Sequence, residues 1–115
     1  MPPVHKNLAD GRWFEFSILE QMGNIGSEVG RAIMRHKEGD EKRFNSAFDR
    51  ALELFDLTIS DSRWRGPRLR EICRAREIFC DLFFGGNQFN TDPDSLDRYF
   101  TRFAMAARFQ RDRKA

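Results

Sequence analysis

The chain has 115 residues, of which 40% are apolar and 33% are charged. This length suits one compact domain and excludes two domains with separate cores. The formal charge is only +2, but 12 residues are phenylalanine and arginine supplies 16 of the 20 basic residues. The positions of these two residue types therefore carry most of the information about fold and function.

No part of the chain has the pattern of a signal peptide or a membrane span. No apolar run of about seven residues follows His5-Lys6, and no stretch approaches the roughly 18 apolar residues of a membrane span. We therefore expect a cytoplasmic protein that does not contact membranes. Cys73 and Cys80 share one helical pattern with their Cα atoms about 10 Å apart, too far for a disulfide, and we expect reduced thiols in the core.

Apolar residues recur every three or four positions in four segments, which is the pattern of amphipathic helices. Helix 1 is predicted over residues 13–37. Its start is capped either by Asp10 or by a later capping box of Ser17 and Glu20. Helix 2 is predicted over residues 41–60, after a short break rich in polar residues.

The second half of the chain contains two further helices. Pro67 fits the first position of helix 3, which is predicted to end at about Phe84, before Gly85-Gly86. Helix 4 is predicted to begin at Pro93. Four amphipathic helices with short connections and no competing strand pattern predict an all-α fold, a single up-down-up-down antiparallel four-helix bundle.

This organisation divides the chain into three parts. We expect a flexible lead-in at residues 1–12, the bundle at residues 13–110 and a frayed basic tail at residues 111–115. Most phenylalanines fall on inward helix faces, where they fill the core with large side chains. The phenylalanines predicted to be internal are Phe44, Phe48, Phe55, Phe79, Phe83, Phe100 and Phe103.

Helix 1 carries a second strip, beside its main apolar face, that contains three glycines. A glycine inside a helix costs roughly 1 kcal/mol relative to alanine, so close approach of another helix is expected to offset the cost. That helix belongs either to the same bundle or to a second subunit. Apolar residues that project away from the core of helix 4 favour a homo-oligomer. The predicted interface residues are Phe16, Gly23, Gly26, Gly30, Met34, Met105 and Phe109.

Arg76 falls near the centre of the apolar arc of helix 3, where an unpaired charge is costly. We expect a buried ion pair with Glu28, at the border of the helix 1 core face. Backbone carbonyls or a neighbouring subunit are the alternatives. His36 lies in the last turn of helix 1, where its imidazole is expected to act as a structural cap on free carbonyls.

The sequence contains no recognisable pattern for a catalytic, metal or cofactor site. A di-iron bundle needs Glu-x-x-His pairs on two helices, and neither His5 nor His36 follows a glutamate at that spacing. Zinc-ligand spacing and a phosphate-binding glycine loop are also missing, and no serine or cysteine has a recognisable base partner. We therefore predict a protein that is not an enzyme, without metal, cofactor or small-molecule substrate.

One short match remains as a distant alternative. Arg31 and His36 form Arg-x4-His, which resembles the ribonuclease motif of the HEPN superfamily of helical bundles. In a continuous helix the two side chains lie about 140° apart. The resemblance implies RNA cleavage by this pair.

Basic residues are concentrated in the second half of the chain. Residues 61–115 contain 12 basic and 8 acidic side chains, against 8 and 10 in residues 1–60. Arginine interleaved with tryptophan suits phosphate contacts and base stacking. In an antiparallel bundle the start of helix 3 and the end of helix 4 lie at one end. The predicted nucleic-acid-binding residues are Arg63, Trp64, Arg65, Arg68, Arg70, Arg74, Arg108, Arg111 and Arg113; the alternative is a solvated end with Arg–Glu pairs.

Residues 21–31, QMGNIGSEVGR, and the Phe-x3-Phe-x2-Ala-x3-Phe pattern at 44–55 resemble a family of conserved-hypothetical bacterial four-helix-bundle proteins. That family includes proteins encoded in intervening sequences of large-subunit ribosomal RNA genes and the accessory variability protein of diversity-generating retroelements. The resemblance implies a ring-like, often pentameric, homo-oligomer without catalytic activity. For the retroelement protein it also implies basic surfaces that bind nucleic acid and reverse transcriptase. We therefore predict an oligomeric bundle that binds RNA or DNA through its arginine-rich end, with a purely structural or protein-interaction module as the main alternative.

Overall fold

The fold, seen in a computed structural model that describes residues 11–114, consists of a short turn and four long helices. The elements are a 3-10 turn at Arg12–Glu15, α1 at Ile18–Lys37, α2 at Glu41–Ile59, α3 at Pro67–Phe84 and α4 at Pro93–Lys114. The predicted all-α four-helix bundle is confirmed. Residues 1–10 of the predicted lead-in lie outside the described residues. Among the described helices, none has the length and apolarity to cross a membrane.

The first helix begins later than its apolar pattern indicates. Residues 12–15 form a 3-10 turn, and Ser17 then caps α1 in extended backbone geometry. The Glu20 N–H donates to the Ser17 hydroxyl at 3.2 Å, while the Ser17 N–H donates to the Glu20 carboxylate at 3.0 Å. The prediction that helix 1 starts at Trp13 is therefore wrong, and the later capping box is confirmed as the cap of α1.

The other helix ends follow local sequence signals more closely. The Asp40 carboxylate accepts the Arg43 N–H and caps α2, and α3 begins at Pro67 as predicted. Gly66 precedes it with a φ of 57°, a backbone conformation that favours glycine. The helical backbone of α4 continues to Lys114, beyond residue 110, where the predicted bundle ends. No breaker follows Pro93, and basic residues in the last turn interact favourably with the helix dipole.

Helix α1 is the central element of the arrangement. It packs along both α2 and α4, whereas α3 packs mainly against α2. The Lys37 ammonium at the end of α1 lies 2.7 Å from the Asp94 carboxylate at the start of α4, so these two helices are antiparallel. The ends of α1 and α3 therefore share one end of the bundle with the starts of α2 and α4.

Phenylalanine rings fill the space between the helices, as the inward faces predict. Phe44, Phe48, Phe55, Phe79 and Phe100 are buried. The remaining two predicted core rings are half-buried against the same cluster: Phe83 and Phe103. The rings of Phe48 and Phe79 stack at 4.9 Å, and those of Phe55 and Phe100 meet edge to face at 5.9 Å. Contacts of this kind join α2 to both α3 and α4.

The glycine strip of α1 faces α4 of the same chain. A Cβ atom built on Gly26 would lie only 2.5 Å from the Cβ of Phe100. Gly23 and Gly30 are similarly close to Ala104 and Asp97, respectively, with distances of 3.1 and 3.0 Å. The assignment of these three glycines to a subunit interface is therefore corrected. Their missing side chains allow the backbones of α1 and α4 to approach, which is the alternative within one bundle.

The predicted buried pair between Arg76 and Glu28 is wrong. The Arg76 guanidinium donates to the Asp56 carboxylate at 3.0 Å, and the Arg76 side chain is 34% exposed. Glu28 is buried and accepts from Arg31 at 2.7 Å and from Arg50 at 3.1 Å. The reason is the position of α3, which lies against α2 and so brings Arg76 to the α2–α3 seam.

The surroundings of His36 and of the two cysteines suit a role in packing. The His36 ring, predicted to cap free carbonyls, packs against Phe44 and Phe83 at centroid distances of 5.3 and 4.9 Å. Cys73 and Cys80 are free thiols that are half-buried, whereas the prediction placed them in the core. Burial raises the pKa of the Cys80 thiol, which lowers its reactivity as a nucleophile.

Candidate nucleic-acid interface

Arg63 lies in the connection between α2 and α3, where it is held by a buried carboxylate. Its Nε donates to Asp61 Oδ1 at 3.0 Å, and its Nη2 donates to Asp61 Oδ2 at 2.7 Å. Nη2 also donates to the Phe16 carbonyl oxygen at 2.7 Å. The hydrogen bonds that Asp61 accepts, led by those from the Arg63 side chain, lower its pKa from 3.8 to about 2. The Arg63 guanidinium is therefore already committed to a strong internal ion pair.

Trp64 belongs to the same polar cluster. Its indole N–H donates to the Gln21 side-chain oxygen at 2.8 Å, and Arg63 covers its ring at 4.5 Å. The Gln21 amide nitrogen donates to Asp61 Oδ2 and to the Trp13 carbonyl oxygen, both at 3.0 Å. Arg63 and Trp64 thus fasten the α2–α3 connection to the start of α1. These hydrogen bonds give both side chains a structural role, and their contact with nucleic acid stays a prediction.

The other predicted arginines of this region are exposed on or just before α3. Arg68 forms an ion pair with Glu71 at 3.0 Å. Arg74 lies over the exposed ring of Phe89 at 4.8 Å. Arg65 and Arg70 make no ion pair within residues 11–113. The start of α3 therefore retains cationic groups that are not neutralised by a carboxylate.

Helix α4 carries the larger share of such groups. After Asp97 its sequence contains six basic residues and one acidic residue, Asp112. Its exposed arginines, none of which forms an ion pair within residues 11–113, are Arg98, Arg102, Arg108, Arg111 and Arg113. Arg98 and Arg102 were absent from the predicted set. Their i, i+4 spacing, continued by Met105 and Phe109, was the signal that could have identified them.

The arginines at the start of α3 and at the end of α4 lie at the same end of the bundle, whereas Arg98 lies near the start of α4, toward the opposite end. Phe16, whose carbonyl oxygen accepts from Arg63, borders a cavity of about 340 Å³ together with Arg111. Between α4 and α3, the Tyr99 hydroxyl donates to the Glu71 carboxylate at 3.1 Å. Burial and the Glu71 charge raise the pKa of Tyr99, whereas the nearby Arg68 charge lowers it. We use the name basic end for seven residues of α4 and of the region where α3 starts. They are Arg65, Arg68, Arg70, Arg102, Arg108, Arg111 and Arg113.

Three of the apolar residues predicted at an oligomer interface are exposed. Met34 is 55%, Met105 is 67% and Phe109 is 64% exposed. Met105 and Phe109 are one turn apart on α4, and the Arg113 guanidinium lies 6.0 Å from the Phe109 ring centroid. Phe16 is half-buried instead and meets Trp13 edge to face at 5.6 Å.

The structure does not bring Arg31 and His36 together. Arg31 pairs with Glu28, whereas the exposed His36 ring packs against the rings of Phe44 and Phe83. The part of the chain from residue 11 to residue 114 contains no cluster of three metal-ligating side chains.

No family model, curated protein or solved structure matches this chain. The resemblance to the bacterial four-helix-bundle family therefore stays a prediction.

Proposed function

We propose that the protein binds nucleic acid through the basic end. The observation that carries this proposal is the second half of α4, where exposed arginines outnumber carboxylates and form no ion pairs with residues 11–113. Uncompensated guanidinium groups on one surface attract phosphates, and contact with each phosphate releases condensed counterions. The net charge of +2 understates this attraction because the acidic residues are concentrated elsewhere.

Contacts with phosphates, rather than hydrogen bonds to base edges, would dominate binding. Arginine forms bidentate hydrogen bonds with phosphate oxygens, and these contacts fix position without selecting sequence. Affinity should then fall steeply with salt, with a log–log slope near −3 if about four phosphates are neutralised. We expect weak sequence preference for the same reason.

The test compares two triple variants that change the net charge equally. Arg102→Gln, Arg108→Gln and Arg113→Gln remove exposed charges from the basic end. Lys37→Gln, Lys42→Gln and Arg43→Gln remove exposed charges from the opposite end. Fluorescence anisotropy with labelled RNA and DNA, measured over a salt series, should show at least tenfold weaker binding for the first variant and a shallower salt slope.

Two results would count against this function. One is the absence of binding by the parent protein even at low salt. The other is an equal loss of affinity in both triple variants, because net charge alone would then account for binding.

A protein-interaction role is the second candidate, favoured by the exposed side chains of Met34, Met105 and Phe109. Exposed apolar residues on two helices suit a homo-oligomer, which would be pentameric if the family resemblance holds. Sedimentation velocity at tens of micromolar should then show a species larger than the 13.6 kDa monomer. A monomer under these conditions would remove self-association as a function.

A further inference from the structure

The outward side of α4 carries a narrow stripe in which arginines enclose two apolar residues. Arg98, Arg102, Met105, Phe109 and Arg113 follow each other at intervals of three or four residues. At 100° per residue they fall within an arc of about 80°, over about 22 Å of helix. The buried residues Leu96, Phe100 and Ala107 lie on the opposite side of the helix. We call the five exposed residues the outer stripe: Arg98, Arg102, Met105, Phe109 and Arg113.

The aromatic ring of the outer stripe is exposed to solvent. Phe109 is 64% exposed, and its ring contact within residues 11–113 is with Arg113, at 6.0 Å. Trp64, which stands between two arginines in the sequence, already donates its indole N–H to Gln21, and the Arg63 guanidinium covers its ring. Phe109 is therefore an exposed aromatic residue that lies among several arginines of α4 without ion pairs.

We infer that the outer stripe binds single-stranded rather than double-stranded nucleic acid, an inference that rests on the proposed function. The base faces of a duplex are stacked on each other, so a duplex offers this surface only its phosphates. An unpaired base can stack on the Phe109 ring and contact the Met105 thioether, while Arg102 and Arg113 hold phosphates on either side. The apolar residues then contribute to affinity only when bases are unpaired.

The choice of this ligand follows from charge and from the small size of the apolar patch. Two neighbouring copies of the outer stripe placed face to face would oppose three arginines with three arginines, which disfavours a symmetric contact. Met105 and Phe109 alone provide too little apolar surface for a typical stable protein interface. A polyanion with exposed ring faces complements both the arginines and the aromatic residue.

The experiment measures binding of an oligouridine of about 20 nucleotides and of a duplex of similar length to the full chain. Phe109→Leu keeps an apolar side chain but removes the aromatic face, whereas Phe109→Trp keeps and enlarges that face. Phe84→Leu is the matched control, because Phe84 is 67% exposed at the opposite end of the bundle. Thermal melting establishes that each variant folds.

Stacking predicts that the parent protein binds the single strand more tightly than the duplex. It predicts at least about fivefold weaker single-strand binding in Phe109→Leu, unchanged duplex binding, and retained affinity in Phe109→Trp. Phe84→Leu should match the parent protein. Quenching of the indole fluorescence of the Phe109→Trp variant by the oligouridine, beyond the change seen in the parent protein, would locate a base on the ring.

Equal binding of single strand and duplex would overturn the inference while leaving the proposed function intact. Parent-like single-strand binding by Phe109→Leu would overturn it as well, because an apolar contact without stacking would then suffice. Self-association that buries Phe109 and is lost in Phe109→Leu would assign the outer stripe to a second copy of the chain. Failure of the parent protein to bind either ligand would overturn both proposals.

Discussion

At the scale of single residues, Asp61 shows how the polar cluster stabilises the fold. Its carboxylate is buried and accepts hydrogen bonds from Arg63 and Gln21. These bonds favour the charged form, so the folded protein holds the proton less tightly than the unfolded chain does. A pKa lowered from 3.8 to about 2 corresponds to about 2 kcal/mol of folding free energy at neutral pH.

This stabilisation should disappear in acid. Because the folded pKa of Asp61 is depressed, its contribution is present above the unfolded value of 3.8 and is lost as pH falls toward about 2. Asp61→Asn should lose about 2 kcal/mol of unfolding free energy at pH 7 and show a flatter pH dependence between about pH 4 and pH 2. Urea denaturation at several pH values measures both effects. The exposed Asp49→Asn is the control, and a parent-like pH profile in Asp61→Asn would contradict this account.

The roles of Arg63 and Trp64 could not be predicted from their neighbours in sequence. Arginine beside tryptophan is compatible with nucleic-acid binding and with an internal ion pair under a ring. The deciding partner, Gln21, is 43 residues away from Trp64 along the chain. A single buried glutamine in a helix gives no local sign of where its two amide atoms will find partners.

At the scale of helices, the contact between α1 and α4 depends on residues that lack side chains. Helical periodicity predicted all four helices, and Pro67 predicted the start of α3. The start of α1 was predicted too early, at Trp13, because the choice between Asp10 and the Ser17 capping box was left open. The partner of the glycine strip was left open, because periodicity identifies a face but not the element that covers it. Arg76 was misplaced for the same reason, since its ion pair depends on α3 lying against α2.

Substitution of the glycines should therefore affect folding in a graded way. Gly26→Ala places a Cβ atom 2.5 Å from the Cβ of Phe100. We expect a net loss of about 2 kcal/mol, even though alanine favours the helix by about 1 kcal/mol. Gly30→Ala should cost less, because its nearest neighbour is the end of the Asp97 side chain, which can rotate away.

Urea denaturation of the two variants measures this difference, and sedimentation velocity separates it from subunit contacts. If Gly26→Ala changed the association state and left the unfolding free energy unaltered, the intramolecular role of the strip would be contradicted.

At the scale of the whole molecule, charge is distributed unevenly between the two halves of the sequence. Residues 61–115 carry a formal charge of +4 and residues 1–60 a charge of −2. This imbalance was visible in the sequence, and the antiparallel fold brings the arginines at the start of α3 and at the end of α4 to one end. What the sequence did not show is which arginines are neutralised internally, because ion pairs such as Arg63 with Asp61 depend on backbone turns.

The unequal packing of the helices has a consequence for local unfolding. Helix α1 is held between α2 and α4, whereas α3 is attached mainly to α2 and to the cluster around Trp64. Amide hydrogen exchange should therefore be slowest in α1 and faster in α3, with α3 opening as a cooperative unit before global unfolding. Native-state exchange followed by mass spectrometry checks this order, and equal protection of α1 and α3 would contradict it. The start of α3 contributes Arg65, Arg68 and Arg70 to the basic end, so a partner bound there would slow exchange throughout that helix.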